Sequence, residues 1–176
     1  MVKQVFHKRL LALIAGAVVL VILAVPQTFC QGGGVGEPGN HNQRGMEYFK
    51  QGFHENTPKG RATEADRNYG LAVKEFKAAI SGDSSYIEAH RNLARVYYVQ
   101  KNFDGAAEEY RRLTELAPAD LDAYVNLSLA LIELKRLDEA IQTLENAKRV
   151  TSDPRVLDML DTYLSKVRAH QAKEVR

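Results

Sequence analysis

The chain is short of several things that would have pointed to chemistry. One cysteine, Cys30, among 176 residues excludes a disulfide framework and any multi-cysteine zinc or iron–sulfur site. No sign of charge dominates, since 24 Lys and Arg face 22 Asp and Glu. Residues 1–43 hold Lys3, Lys8 and Arg9 against Glu37 alone, so the remainder carries 21 of each sign. A neutral body of this kind leaves no electrostatic footprint for nucleic acid. The G-x-S-x-G, H-E-x-x-H and P-loop patterns are absent. His41, His54, His90 and His170 lack metal-ligand spacing, and His90 falls at a packing position. Gly32–Gly36 has neither the strand nor the helix that would make it a phosphate cradle. Glu108 and Glu109 are neighbours on a solvated helix and do not converge. No catalytic residue, metal or cofactor is therefore expected, and the chain does not read as an enzyme. What remains, at 45% apolar and 26% charged residues, is ordinary globular composition for one domain plus a tail.

The tail comes first. Lys3, His7, Lys8 and Arg9 precede an uninterrupted apolar run of 16 residues from Leu10 to Val25, closed by Pro26. A secretory apolar segment is usually ~7–15 residues long, and a membrane span needs about 20. Extension through Cys30 gives 21 residues, or roughly 31 Å as a helix. The best cleavage position follows Cys30, with Thr28 at −3, but no A-x-A pattern supports it. Residues 1–30 thus read as a signal peptide or as a transmembrane signal anchor. The next basic residue after Arg9 is Arg44, so under the positive-inside rule both alternatives deliver the rest of the chain out of the cytoplasm. The expected location is extracytoplasmic, either periplasmic or secreted, or anchored to a membrane by residues 10–30. Gly32, Gly33, Gly34, Gly36, Pro38 and Gly39 follow, and residues 31–44 read as a flexible linker.

The body repeats itself at a shift of 34. Tyr69, Phe103 and Leu137 fall in register, as do Ala72, Ala106 and Ala140. So do Phe76, Tyr110 and Leu144, then Ala79, Leu113 and Ala147. Upstream, Ala89 meets Ala123, His90 meets Tyr124, Leu93 meets Leu127 and Tyr97 meets Leu131. Spacings of three and four within each unit mark buried helical stripes. The alanines stand where paired helices would cross, because a larger side chain would push the axes apart. Short turns fall at Gln100–Asn102 and Lys135–Arg136, and breakers at Gly82, Pro118 and Pro154. Ser85 with Glu88 has the form of a capping box, and Asp153 precedes Pro154 as a helix start.

These residues resemble the tetratricopeptide repeat. Counting Ile87 as position 1, Leu93, Ala94, Tyr97, Ala106, Tyr110 and Pro118 match the family at positions 7, 8, 11, 20, 24 and 32. A further unit begins at Leu121, with Leu127, Ser128, Leu131, Ala140, Leu144 and Ala147. The first unit needs its own solution. Its second helix runs from about Thr63 or Asp66 to Ile80, but a first helix 34 residues ahead of the next would cross Pro58 and Gly60. Met46–Phe53 is the candidate, with Tyr48 and Gly52 at positions 4 and 8 and an insertion of eight residues within about 54–62. Asp153–Ala169 supplies a last amphipathic helix without a partner. The resemblance implies an all-α solenoid of antiparallel helix hairpins wound into a right-handed superhelix. About three units are expected (45–86, 87–120, 121–154), with a capping helix at 153–169. The domain would span 45–170 and leave 171–176 as a tail.

The resemblance also implies a concave groove lined by positions 2, 5, 9 and 12 of each first helix, which do share one helical face. They are Glu88, Arg91, Arg95 and Tyr98 in one unit, and Asp122, Val125, Leu129 and Ile132 in the next. Asn92 and Asn126, at position 6, match family asparagines that bond the backbone of an extended peptide. Asp122 stands where the chaperone-binding subfamily needs a basic residue, which speaks against its carboxylate clamp. The expected groove is mixed, with Arg91 and Arg95 for a carboxylate and Val125, Leu129 and Ile132 as an apolar floor. The expected function is protein–protein interaction, with a peptide segment or partner helix in the groove. The alternative is a self-associating assembly module of an envelope complex. No nucleic-acid partner is expected, and membrane contact only through the N-terminal segment.

Overall fold

The computed structural model describes residues 37–56 and 61–174; the apolar leader and its expected roles lie outside them. Among the described residues there is no strand. Seven helices follow one another: α1 (Pro38–Lys50), α2 (Ala62–Gly82), α3 (Ile87–Val99), α4 (Phe103–Leu116), α5 (Leu121–Glu133), α6 (Leu137–Val150) and α7 (Pro154–Glu174). A π-helical turn, Gln51–Asn56, continues α1. The helices pair as hairpins α1–α2, α3–α4 and α5–α6, each hairpin packs on the next, and α7 closes against α6. The result is the expected all-helical solenoid.

The repeating columns are its core. Ala72, Ala106 and Ala140 have no exposed surface, and Phe76, Tyr110 and Leu144 are buried beside them. One apolar cluster runs from Ala94 through α4, α5 and α6 to Leu160, Leu164 and Val167 of α7. A second gathers Phe49, Tyr69, Phe76, Leu93 and Val96 from α1, α2 and α3. Tyr97 packs against both, so the interior is continuous along the stack.

Local chemistry sets the helix ends. Asn102, Asp120 and Asp153 accept hydrogen bonds from the backbone of Gly105, Ala123 and Arg155 at 3.1, 3.3 and 2.9 Å. These bonds satisfy donors that open the following helices. The expected Ser85–Glu88 capping box does not form. The Ser85 N–H and hydroxyl instead both donate to Asp83 Oδ1, at 2.9 and 2.7 Å, and Tyr86 occupies the cap without a side-chain bond. Helices α3 and α5 end alike. Asn102 N–H donates to Tyr97 O and Lys101 N–H to Tyr98 O, and 34 residues on Arg136 and Lys135 donate to Leu131 O and Ile132 O. This double bond pattern needs a left-handed residue, and Lys101 and Lys135 both take φ of 60°.

The first unit corrects the sequence reading. Its first helix is Pro38–Lys50 rather than Met46–Phe53, so it occupies part of the stretch expected to be linker. A shift of 49 lays α1 on α3 from end to end, since both have 13 residues. The insertion therefore adds fifteen residues to the 34-residue repeat rather than eight. In this register Gly45, not Gly52, matches Ala94 at the helix crossing. A Cβ on Gly45 would lie 2.6 Å from the buried Phe76 ring. His41 now matches His90, and each lies 2.7 Å through Nδ1 from a glutamate of its partner helix, Glu75 and Glu109. Those glutamates are themselves 34 apart. His90 is a core residue, 6% exposed, with its Nε2 3.1 Å from Ser84 O.

The last helix ends the stack. A shift of 34 from Tyr124, Leu127, Ser128 and Leu131, which pack within the α5–α6 hairpin, arrives at Asp158, Asp161, Thr162 and Ser165. All four are polar and exposed, so this face of α7 lacks the apolar column that pairs the earlier helices. Polar contacts seal the seam instead: Lys148–Asp161 at 2.6 Å, Arg168–Glu145 at 2.7 Å and Gln171–Asp138 at 2.6 Å.

Two glycines of the first hairpin should respond oppositely to alanine. Gly45→Ala overpacks the crossing and should cost about 1–3 kcal/mol. Gly70→Ala, in mid-helix with nothing within 4 Å of its Cβ, should add about 0.5–1 kcal/mol; urea denaturation reads both. Glu75 provides a pH test. Burial pushes its carboxyl up, but hydrogen bonds from His41 and Arg44 and their charges outweigh this and hold it below the ordinary 4.5. A depressed carboxyl stabilises above its unfolded value and loses that contribution as pH falls. Glu75→Gln should thus lower thermal stability at pH 7 by under about 1 kcal/mol, given the solvent screening at Arg44. The gap from wild type should close as pH drops below 4.5.

Candidate functional site

The face expected to form the groove is built from α1, α3 and α5. On α3 it carries Glu88, Arg91, Arg95 and Tyr98, and the register places Gly39, Asn42, Met46 and Phe49 of α1 at the matching positions. Helix α1 therefore brings partners that the sequence register had hidden. Asn92 Nδ2 donates to Asn42 Oδ1 at 2.9 Å, so this asparagine ties α3 to α1. Arg91 Nη2 lies 2.8 Å from Asp120 Oδ2. That oxygen accepts no well-aligned hydrogen bond, which makes the contact an ion pair rather than a directed bond. Asp120 in turn caps α5, so Arg91 fastens two units together.

Arg95 is different. Its guanidinium carbon sits 5.6 Å from the centroid of the Phe49 ring, and among the described residues no carboxylate lies within ion-pair distance of it. Desolvation by burial disfavours its charge and Arg91 adds to this, with Tyr110 opposing. Among the described residues this half-buried cation meets an aromatic face and no carboxylate, which leaves it able to take an anion. Around it, Phe49 stacks on Phe53 at 5.7 Å, and Phe53 meets His54 edge-on at 5.1 Å. Phe53 is 40% exposed. Tyr98 lies edge-on to Phe103 at 5.3 Å. Burial, reinforced by Glu133, pushes the Tyr98 hydroxyl up to about 12, and burial pushes Tyr110 up as well. Both phenols are therefore neutral hydrogen-bonding groups.

On α5 the picture changes. Leu129 and Ile132 retain 7% and 8% of their surface, and Ile132 belongs to the cluster that includes Leu160 and Leu164 of α7. Val125 is half-buried against the same cluster. The apolar floor is thus part of the core. Asn126 Nδ2 donates to Asp122 O at 2.8 Å, one turn back in its own helix. Desolvation and the neighbouring Asp120 raise the Asp122 carboxyl above its ordinary value, against the pull of Arg91. Glu88 is exposed at the corresponding end of α3. Among the described residues no group of His, Cys, Asp and Glu could hold a metal ion. A cleft of about 250 Å³ between α4 and α6, lined by Arg111, Leu127, Leu131, Asp138, Glu139, Gln142 and Thr143, holds none of these groove residues.

The tetratricopeptide-repeat family profile matches residues 64–127 and 100–161. The chain belongs to the tetratricopeptide-repeat (TPR) family. It is 25% identical over 115 residues to tetratricopeptide repeat protein 8 of Caenorhabditis elegans, which covers 65% of this chain and 23% of that protein. It is 34% identical over 84 residues to the STIP1 homolog of Dictyostelium discoideum, covering 46% and 15%. The TPR chain thus spans less than a quarter of the length of these curated relatives. Among solved structures, the TPR2B domain of yeast Sti1, in a complex with pHsp70, has a TM-score of 0.58 at 18% identity, over 76% of this chain and 97% of that one. The second TPR domain of human RPAP3, with the HSP70 peptide SGPTIEEVD, has a TM-score of 0.54 at 18% identity, over 74% and 98%. At such identity these likenesses speak for the fold.

Within the TPR frame, the register of α1 puts Asn42 and Met46 on the groove face of the first unit, and neither is basic. The sequence reading missed both of them, together with Phe49 and Asp120; the signal that could have found α1 was the recurrence of His41 as His90. Stability measurements separate the two arginines. Arg91→Met strips the cation from Asp120 and should lower the unfolding free energy measured in urea by about 1 kcal/mol. Arg95→Met removes a desolvated charge that has no acidic partner and should leave stability unchanged or raise it.

Proposed function

We propose that this TPR chain is a scaffold that holds an extended segment of another protein on the face formed by α1, α3 and α5, and that Arg95 receives a carboxylate of that segment. The observation that carries the reading is the unpaired guanidinium on Phe49. The aromatic contact only partly offsets the cost of desolvating the charge, whereas an incoming carboxylate would meet it already oriented and partly desolvated. The neighbouring Tyr98 hydroxyl and exposed Phe53 add a hydrogen-bonding group and an apolar contact. The complexes of Sti1 and RPAP3 with chaperone segments are properties of those proteins; their bearing here is that this fold accommodates an extended peptide. The reading is of a binding module rather than an enzyme.

Self-association is the second reading, and the polar outer face of α7 weighs against stacking through that end. Delivery out of the cytoplasm belongs to the same proposal and rests on Lys3, Lys8 and Arg9 ahead of the apolar run from Leu10 to Val25. Among the described residues no helix is long and apolar enough to cross a membrane, and the anchor proposed here is the leader. N-terminal sequencing of the mature protein distinguishes a cleaved signal from a retained anchor, and recovery of the protein from the cytoplasm would refute export.

The groove reading is tested by pull-down from the fraction where the protein resides, followed by calorimetry with the captured partner. Arg95→Ala should weaken binding at least tenfold while circular dichroism stays unchanged. Undiminished binding would move the site elsewhere.

A further inference from the structure

The groove face is not uniform in charge, and this says more about its ligand than a single carboxylate does. Glu88 and Asp122 occupy the same position of successive first helices, at the N-terminal ends of α3 and α5. Both are exposed. Among the described residues neither side chain has a basic group within ion-pair distance, because Arg91 pairs with Asp120. Arg95 lies seven residues beyond Glu88, about 10 Å along the helix, and also lacks an oppositely charged partner. Intramolecular pairing has therefore consumed the middle of the face and left carboxylates free at one end and a cation at the other. Asp122 is tied into this field, being coupled electrostatically to Arg91, Asp120 and Tyr110.

We infer that the ligand segment is of mixed charge, with a basic side chain placed at the acidic end of the face, where Glu88 and Asp122 lie, and an acidic one, about three residues away in an extended chain, placed at Arg95. The inference rests on the reading of this face as a peptide site, and it gives that site a charge order. A purely acidic segment would lay a carboxylate against Glu88 and Asp122, and a purely basic one would lay a cation against Arg95. Like-charge contact is a strong discriminator between ligands of similar shape. The basic group sought here is the opposite of what a second acidic side chain or a free C-terminal carboxylate would supply at that end.

The test uses the full-length chain in mild detergent and acetylated, amidated synthetic heptapeptides labelled for fluorescence anisotropy. One pair carries Lys and Glu three positions apart, in both orders; two others have either the Lys or the Glu replaced by Gln. At least one mixed-charge order should bind tenfold or more tightly than both single-charge peptides. Asp122→Asn with Glu88→Gln should abolish the advantage conferred by the peptide Lys and leave that of the Glu. Arg95→Gln should do the reverse. An acidic peptide that binds as tightly as the mixed one would overturn the charge order and leave Arg95 as a plain carboxylate receiver. Failure of every peptide to bind would overturn the groove reading together with it.

Discussion

Helix axes can approach closely only where a side chain is nearly absent, and the whole stack depends on that condition being met once per unit. Ala72, Ala106 and Ala140 meet it with no surface left exposed. At the first crossing Gly45 goes further, with the Phe76 ring filling the space a Cβ would need. Close approach lets Phe76, Tyr110 and Leu144 fill each hairpin and touch the next, so neighbouring units share one interior. The proposed site follows from this spacing. It puts the first helices side by side and leaves α3 between α1 and α5, where Arg95 meets Phe49 from one side and Arg91 meets Asp120 from the other.

Most of this architecture could be read from periodicity, because burial in a stacked hairpin imposes the same side-chain sizes every 34 residues. The turns at Gln100–Asn102 and Lys135–Arg136 were legible too, though not the left-handed conformation of Lys101 and Lys135. The start of the domain was not. Residues 38–45, Pro-Gly-Asn-His-Asn-Gln-Arg-Gly, are mostly poor helix formers, Gln43 and Arg44 excepted, and continue a glycine-rich stretch. Tertiary contacts override that weakness: Gly45 packs on Phe76, and His41 with Arg44 binds Glu75. An apolar stripe was the wrong signal for a helix anchored by a polar cluster. The Ser85–Glu88 pattern failed for a local reason, since Asp83 outcompetes it for the Ser85 donors.

The candidate site was legible as a set of positions but not as a set of free groups. Spacing alone shows that Glu88, Arg91, Arg95 and Tyr98 share a face. It does not show that Asn92 is bonded to a residue 50 positions earlier, across an insertion of unknown length, or that Asp120 has taken Arg91. The burial of Leu129 and Ile132 likewise depends on tertiary packing, which for Ile132 is the cluster shared with α7. Among the described residues, subtracting these internal commitments leaves Arg95, Tyr98, Glu88 and Asp122, with the aromatic edge of Phe53, as the groups on which the proposed site rests. A site of this kind is defined by what folding leaves unpaired.

The dependence of the stack on its small crossing residues is open to one direct measurement, the stability of Ala106→Leu by urea denaturation, with the exposed Ala169→Leu on α7 as control. Ala106 lies at the centre of the middle hairpin, so a larger side chain should part α3 from α4 and cost about 2–3 kcal/mol, while the control stays within about 0.5 kcal/mol of wild type. Equal, small effects at both positions would contradict the account, since the helices would then be held apart or together by something other than the close crossing described here.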